Sequence, residues 1–400
     1  MPKLSHTDPA LLAAVEQLRL FRRRELSPVE VAKAALARIA RHDPAVNAFC
    51  LVDQDGALTA AKASEARWQA GEPQGLVDGV PATIKDITIA RGWPTGRGSR
   101  LTDPRKRESE DAPAVARLRE EGAVLIGKTT TPEFGWKGLT DSPLTGVTRN
   151  PWNTACTPGG SSGGAAAAAV LGLGTLHTGT DGAGSVRIPS GFSGCFGLKP
   201  SYGAIPLYPA SPYGSIAVLG PMTRTVQDAA LMMNVLSLPD DRDWHSLPFE
   251  ARDYRVGLED GVKGLRIAYS ADLGYAKVDK EIAAIVKKAV QSFVDLGAFV
   301  ENQDPGFEDC GPLFAAHWFP GAATVVRNTP AAKRKLMDPG LLETARMGEQ
   351  FTTAQYLAAV QQRERGELRP GDKLPAVRAL AAQVLVNPNT VGKAWRDLEH

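Results

Sequence analysis

The chain has 400 residues, 43% hydrophobic and 22% charged, which is enough apolar material for a sizeable core and excludes a disordered chain. Its 46 basic and 44 acidic residues leave a net charge of +2, so no global field draws it to nucleic acid or to an anionic membrane. The opening MPKLSHTDPALLAAVEQ carries no apolar targeting stretch, and the longest apolar run, 165–176, is too short to span a bilayer; a soluble, cytoplasmic protein with no membrane partner is expected. Cys50, Cys156, Cys195 and Cys310 lie far apart with no CxxC pair, which predicts reduced thiols, no zinc site and no cofactor.

In chain order, LSPVEVAKAALARIARHDP predicts a helix with Ser27 as N-cap, Pro28 at the first position, Glu30 closing a capping box and Leu26 stapled onto Val31. GVPATIKDI, GAVLIGKT and GLRIAYS read as short strands buried on both faces. Alternating with helices, they predict an α/β fold with a mixed central sheet; helices over 223–236 and 280–296 are expected to cover it. The Pro-, Asp- and Gly-rich stretch 239–262 reads as a long surface connection. No fixed-period repeat is present.

Residues 156–164, CTPGGSSGG, running into AAAAAVLGLG, form a loop that could hold a phosphate, a nucleophile elbow or a proton relay. Nearby, GAVLIGKT satisfies GxxxxGK[ST], but Ala, Val, Leu and Ile between the glycines make a buried strand rather than an amide-lined phosphate loop. GxSxG also matches twice, on Ser161 and on Ser162. An elbow needs a preceding strand and a later Asp or Glu and His; NPWNTACTP is turn-like, and His177, His245, His317 and His400 lack a triad context. The third reading looks 24 positions on (185 minus 161), to Ser185 in GTDGAGSVRIPSGFSGCFGLKP. There Gly182, Ala183 and Gly184 can turn sharply and point amides at one spot, and Lys85 ends GVPATIKD as a base if burial keeps it neutral. On these residues alone, Lys85 beside Asp86 reads rather as a surface ion pair, and Ser161 and Ser162 as residues that could cap the following helix.

GGSSGG, GTDGAGSVRIPSGFSGCFGLKP, GPMTRTVQDAA and GVPATIKD occur together and in order, and EFGWKGLTDSPLTGVTRNPWN and the N-terminal helix join them. In this the chain resembles the amidase signature family of amide hydrolases over about residues 11–363. The resemblance implies a Lys-Ser-Ser triad acting on a small-molecule amide through an acyl-enzyme. Lys85 is then the base, Ser161 the bridging serine after a cis peptide, and Ser185 the nucleophile. It further implies an oxyanion hole from the amides of Gly182, Ala183, Gly184 and Ser185, with Ser162, Asp181 and Arg187 in support. Ala183 stands where the family more often has glycine. Cys195 has no basic partner and reads as a small buried residue.

The amidase pattern stops near Arg363, short of the family's usual C-terminal strands, so domains at 1–363 and 364–400 are expected. RGELRPGDKLPAVRALAAQVLVNPNTVGKAWRDLEH resembles the helix-turn-helix of GntR-type regulators, in which Asn389, Thr390, Lys393 and Arg396 would face DNA and Arg378 a phosphate. An amphipathic helical pair closing the amidase is the other reading of that tail. Leu385 at the usual glycine of the turn, charges at 363–365 and the missing wing mark it as partial, and a join of two partial coding regions near residue 365 is expected.

Overall fold

The computed structural model describes residues 8–306 and 309–364, which form two compact units. Of the described residues, the first comprises 8–255 together with Gly321–Arg346, and the second comprises those of Val256–Pro320 together with 347–364. The boundary at Arg255 falls inside the stretch 239–262, so this segment separates two packing units and is more than a surface connection.

In the first unit a six-stranded mixed sheet runs in the order Phe49–Val52, Val124–Thr129, Pro81–Lys85, Leu176–Asp181, Val218–Thr223 and Phe196–Gly197. The three central strands are parallel, and the edge pairings are antiparallel. Successive residues of a strand face opposite sides, and here both sides are covered. Leu125 joins Ala82, Ile84, Leu176 and Leu219 in a core closed by helices Pro113–Glu120 and Val226–Leu236. Val124 and Ile126 point the other way, into a core of Ala35, Ile39, Ala57, Ala61 and Ala168 from helices Pro28–Val46, Gln54–Ala70 and Gly163–Leu171. Small alanines let these three helices approach the sheet closely.

The Ser27 capping box forms as read: Ser27 Oγ accepts from Glu30 N at 3.2 Å, and Glu30 Oε2 accepts from Ser27 N at 2.8 Å. Helix Val226–Leu236 begins three residues later than expected, because Thr225 caps it by accepting from Asp228 N while Val218–Thr223 continues as strand.

The second unit contains a two-stranded parallel sheet, Arg266–Tyr269 with Phe299–Asn302, joined by helix Lys280–Asp295 in a βαβ crossover. Two expectations are corrected here. The GLRIAYS strand is buried only at Ile267, and no residue of helix Lys280–Asp295 is buried; both elements belong to the second unit and not to the unit that holds the six-stranded sheet. Apolar periodicity marks an amphipathic element but does not say how much of its face is covered. Among the described residues no helix is long and apolar enough to cross a membrane.

Candidate active site

Lys85 is the last residue of strand Pro81–Lys85 and is wholly buried. Its Nζ lies 2.6 Å from Ser161 Oγ, 2.9 Å from Ser162 Oγ and 2.9 Å from Thr180 Oγ1. Burial lowers its pKa from the ordinary 10.5 to about 7, against a smaller upward pull from the Asp181 charge. A lysine in this state is neutral over part of the physiological range and can accept a proton. A neutral amine has two N–H donors and one lone pair. Donation to Ser162 and Thr180 aims the lone pair at Ser161, the nearest hydroxyl.

The Gly160–Ser161 peptide is cis. Gly160 packs so tightly beneath the segment around Leu139 that a Cβ there would stand 2.4 Å from the Leu139 carbonyl oxygen, so only glycine fits. Thr140 Oγ1 donates to Gly159 O at 2.8 Å and accepts from Gly163 N at 3.0 Å, holding the serine loop from its other side. Ser162 precedes helix Gly163–Leu171 but makes no side-chain cap; its hydroxyl instead meets Lys85 and accepts from Thr180 N at 3.2 Å. The helix-cap reading of Ser162 is therefore corrected.

Ser185 is 5% exposed, and Ser162 N donates to its carbonyl at 3.2 Å, which sets the two serine-bearing loops side by side. Asp181, fully buried, braces the second loop. Its Oδ1 accepts from Gly184 N at 2.7 Å and Arg187 Nη2 at 2.9 Å, and its Oδ2 from Val186 N at 3.1 Å and Arg187 Nε at 3.0 Å. Burial alone would raise this carboxyl, but Arg187 and the two amides outweigh it and hold the pKa below the usual range. Because the Gly184 amide is spent on Asp181, it is not available to an oxyanion, which corrects its expected place there. The amides of Gly182, Ala183 and Ser185 have no protein acceptor among the described residues. Gly184 has φ +107°, a conformation side chains rarely adopt, whereas Ala183 keeps an ordinary negative φ and tolerates its methyl group.

The competing motifs resolve as structure. GAVLIGKT holds the fully buried strand Val124–Thr129. His177 is buried, pairs through Nδ1 with Thr83 Oγ1 at 2.8 Å, and burial drives its pKa down to about 3, so it stays neutral in the core. Burial raises the Cys195 thiol, which disfavours a nucleophilic thiolate. Thr180 is the site residue that sequence reasoning missed; alternation of Thr178 and Thr180 in LHTGTD, one of them reaching Lys85 N and the other Lys85 Nζ, is the signal that carries it. Among the described residues no cluster of three or more His, Cys, Asp or Glu could hold a metal. Arg378, Asn389, Thr390, Lys393 and Arg396 lie outside the described residues.

A family model described as Amidase matches residues 30–371. The chain belongs to the amidase family. An acylamidase of Rhodococcus erythropolis is 40% identical over 316 residues, covering 78% of this chain and 66% of that protein. A glutamyl-tRNA(Gln) amidotransferase subunit of Geobacter metallireducens is 39% identical over 287 residues, covering 71% of this chain and 59% of that one. The chain thus spans less than two thirds of the length of these curated relatives. Among solved structures, a bacterial aryl acylamidase of the amidase signature family superposes with TM-score 0.81 at 32% identity, covering 88% of this chain and 75% of that one. A 6-aminohexanoate cyclic dimer hydrolase bound to substrate gives TM-score 0.81 at 27% identity, with coverage of 94% and 77%. A second family model, bacterial regulatory proteins of the gntR family, matches residues 360–400.

Proposed function

We propose that this member of the amidase family hydrolyses the carbon–nitrogen bond of a small-molecule amide, with Ser185 as nucleophile, Ser161 as bridging hydroxyl and Lys85 as base. The carrying observation is the buried Lys85 amine, its pKa lowered to about 7, set among three hydroxyls. Neutral Lys85 takes a proton from Ser161, and Ser161 takes one from Ser185 as Ser185 Oγ attacks the carbonyl carbon. The oxyanion is held by the amides of Gly182, Ala183 and Ser185, each worth about 3 kcal/mol in comparable hydrolases. The proton returns through Ser161 to the leaving amine, and water then releases the acid from Ser185. The kinship with acylamidases supports acylated aryl amines as the first substrates to try.

A fluorophosphonate serine probe tests this reading directly. Wild-type protein is expected to label covalently, Ser185→Ala to lose all labelling, and Lys85→Ala to label at least ~100-fold more slowly, as removal of a general base predicts. Labelling that survives Ser185→Ala would move the nucleophile elsewhere.

The match over residues 360–400 favours a second activity, duplex DNA binding through Arg378, Asn389, Thr390, Lys393 and Arg396. A fluorescence-anisotropy titration against random duplex is expected to show affinity falling steeply between about 50 and 200 mM salt, as phosphate contacts require. Affinity that does not change with salt, or no binding at 50 mM, would remove it.

A further inference from the structure

The lysine of the GKT sequence has no part in the relay above, yet it is one of the best-held cations in the molecule. Lys128 is fully buried, and its Nζ lies 3.2 Å from Asp86 Oδ1, 2.9 Å from Pro94 O and 2.8 Å from Thr95 Oγ1. All three of its protons therefore have acceptors. The Asp86 side chain is 3% exposed and directly follows Lys85 in the chain. Its Oδ1 also accepts from Gly96 N at 3.1 Å, its backbone N donates to Thr129 O at 3.0 Å, and its carbonyl accepts from Arg97 N at 2.9 Å. The other groups titrating near Lys128 are Cys50, whose thiol is 3.5 Å from the Lys128 carbonyl, and the more distant Glu108.

These bonds run in two directions from one ion pair. One set fixes the end of strand Pro81–Lys85 against Val124–Thr129, where Ile84 faces Lys128 and Lys85 faces Thr129. The other closes the loop from Asp86 to Arg97. The Arg97 carbonyl accepts from Phe134 N at 2.8 Å, and the next residue, Gly135, stands so close to Ser161 that a Cβ there would lie 3.3 Å from Ser161 Oγ. A rigid path thus joins Lys128 both to the base and to the backbone facing the bridging serine.

We propose that Lys128 and Asp86 form a positioning pair that holds the end of the Lys85 strand and the Phe134–Gly135 segment against Ser161, keeping the Lys85 amine among its three hydroxyls and out of water. The proposal deepens the amidase reading and rests on it for its catalytic meaning. An ion pair is suited to the task because a buried charge whose partner is displaced is strongly disfavoured, so the pair resists the fraying to which a strand end is otherwise prone.

The test titrates Lys85 itself, in full-length protein labelled with 13C at lysine Cε, where the Lys85 resonance is the one absent from Lys85→Met. In Asp86→Asn/Lys128→Met both charges are gone, so any remaining change is positional. If the strand end loosens, water reaches Nζ and the Lys85 midpoint rises by about one pH unit or more. A double variant that melts cooperatively with a midpoint within about 0.3 pH unit of wild type overturns the proposal. Should the double variant not fold, Asp86→Asn decides: the lone Lys128 charge would lower the Lys85 midpoint, so a rise supports loosening, and a fall or no change overturns it. Neither result needs turnover. Failure of the amidase reading would show separately, as wild-type protein that does not take the fluorophosphonate label.

Discussion

Lys85→Met is expected to abolish amide turnover and yet to make the protein more stable than wild type at neutral and acidic pH, with the order reversing at about pH 9. The sign follows from where the amine titrates. Its folded pKa is about 7 and its ordinary value is 10.5, so between these limits the unfolded chain binds a proton that the folded chain does not. Lowering the pH through that window favours unfolding, and below about pH 7 the penalty is complete, amounting to about 5 kcal/mol. Methionine carries no such penalty. It does strand the hydroxyls of Ser161 and Thr180, at a cost of about 1–3 kcal/mol that does not vary over this range, while Ser162 keeps its bonds to the Thr180 backbone. Paired denaturant melts of variant and wild type from pH 6 to pH 10 would show the crossing, other titrating groups cancelling in the difference. A difference that is flat with pH would mean that Lys85 titrates as an ordinary lysine, and the base assignment would lose its support. In wild type the same midpoint places the acid limb of the labelling rate near pH 7, with a plateau above it.

What the sequence discloses and what it withholds divide along a physical line. The Ser27 capping box, the strand before Lys85 and the turn at Gly182–Gly184 are local: residues within a few positions determine them, and they can be read directly. The proposed triad is legible for a related reason, since Ser161 and Ser185 sit in compact motifs whose order is itself a fingerprint. Thr180 is not, because its contact with Lys85 exists only once strand Leu176–Asp181 lies parallel to Pro81–Lys85. Nor is the role of Lys128, which reads only as part of a buried strand until the register sets it across from Ile84. The Gly184 amide is misassigned for the opposite reason. A glycine-rich turn advertises free amides, but Asp181, three residues earlier, takes one of them. The exposed helix Lys280–Asp295 marks the same boundary at the level of the fold, since its pattern says which face is apolar and nothing about what covers it.

Asp181→Asn should be the most damaging conservative change near the site, and it carries a signature that simple destabilisation lacks. The native carboxylate has only donors around it: the loop amides of Gly184, Val186 and Arg187 and the Arg187 guanidinium fork. An asparagine must turn its NH2 toward some of those donors, placing donor against donor, whichever way it flips. Arg187 is half exposed and can rehydrate, but the amides of the buried loop cannot; the loss is expected to be about 3–5 kcal/mol. Because the folded pKa of Asp181 lies below its ordinary value, this stabilisation is present above about pH 4 and disappears as the pH falls through the folded value. The melting difference between Asp181→Asn and wild type should therefore hold above about pH 4 and shrink below it. The kinetic signature runs the other way. The Asp181 charge raises the pKa of Lys85, so neutralising it lets the base lose its proton more readily, and the acid limb of the labelling rate should move below pH 7 even as the plateau drops. A variant whose plateau falls while its limb stays near 7 would show that Asp181 shapes the loop without speaking to the base. A limb that moves down would show one buried carboxylate setting both the conformation of the Gly182–Ser185 loop and the basicity of the proposed base.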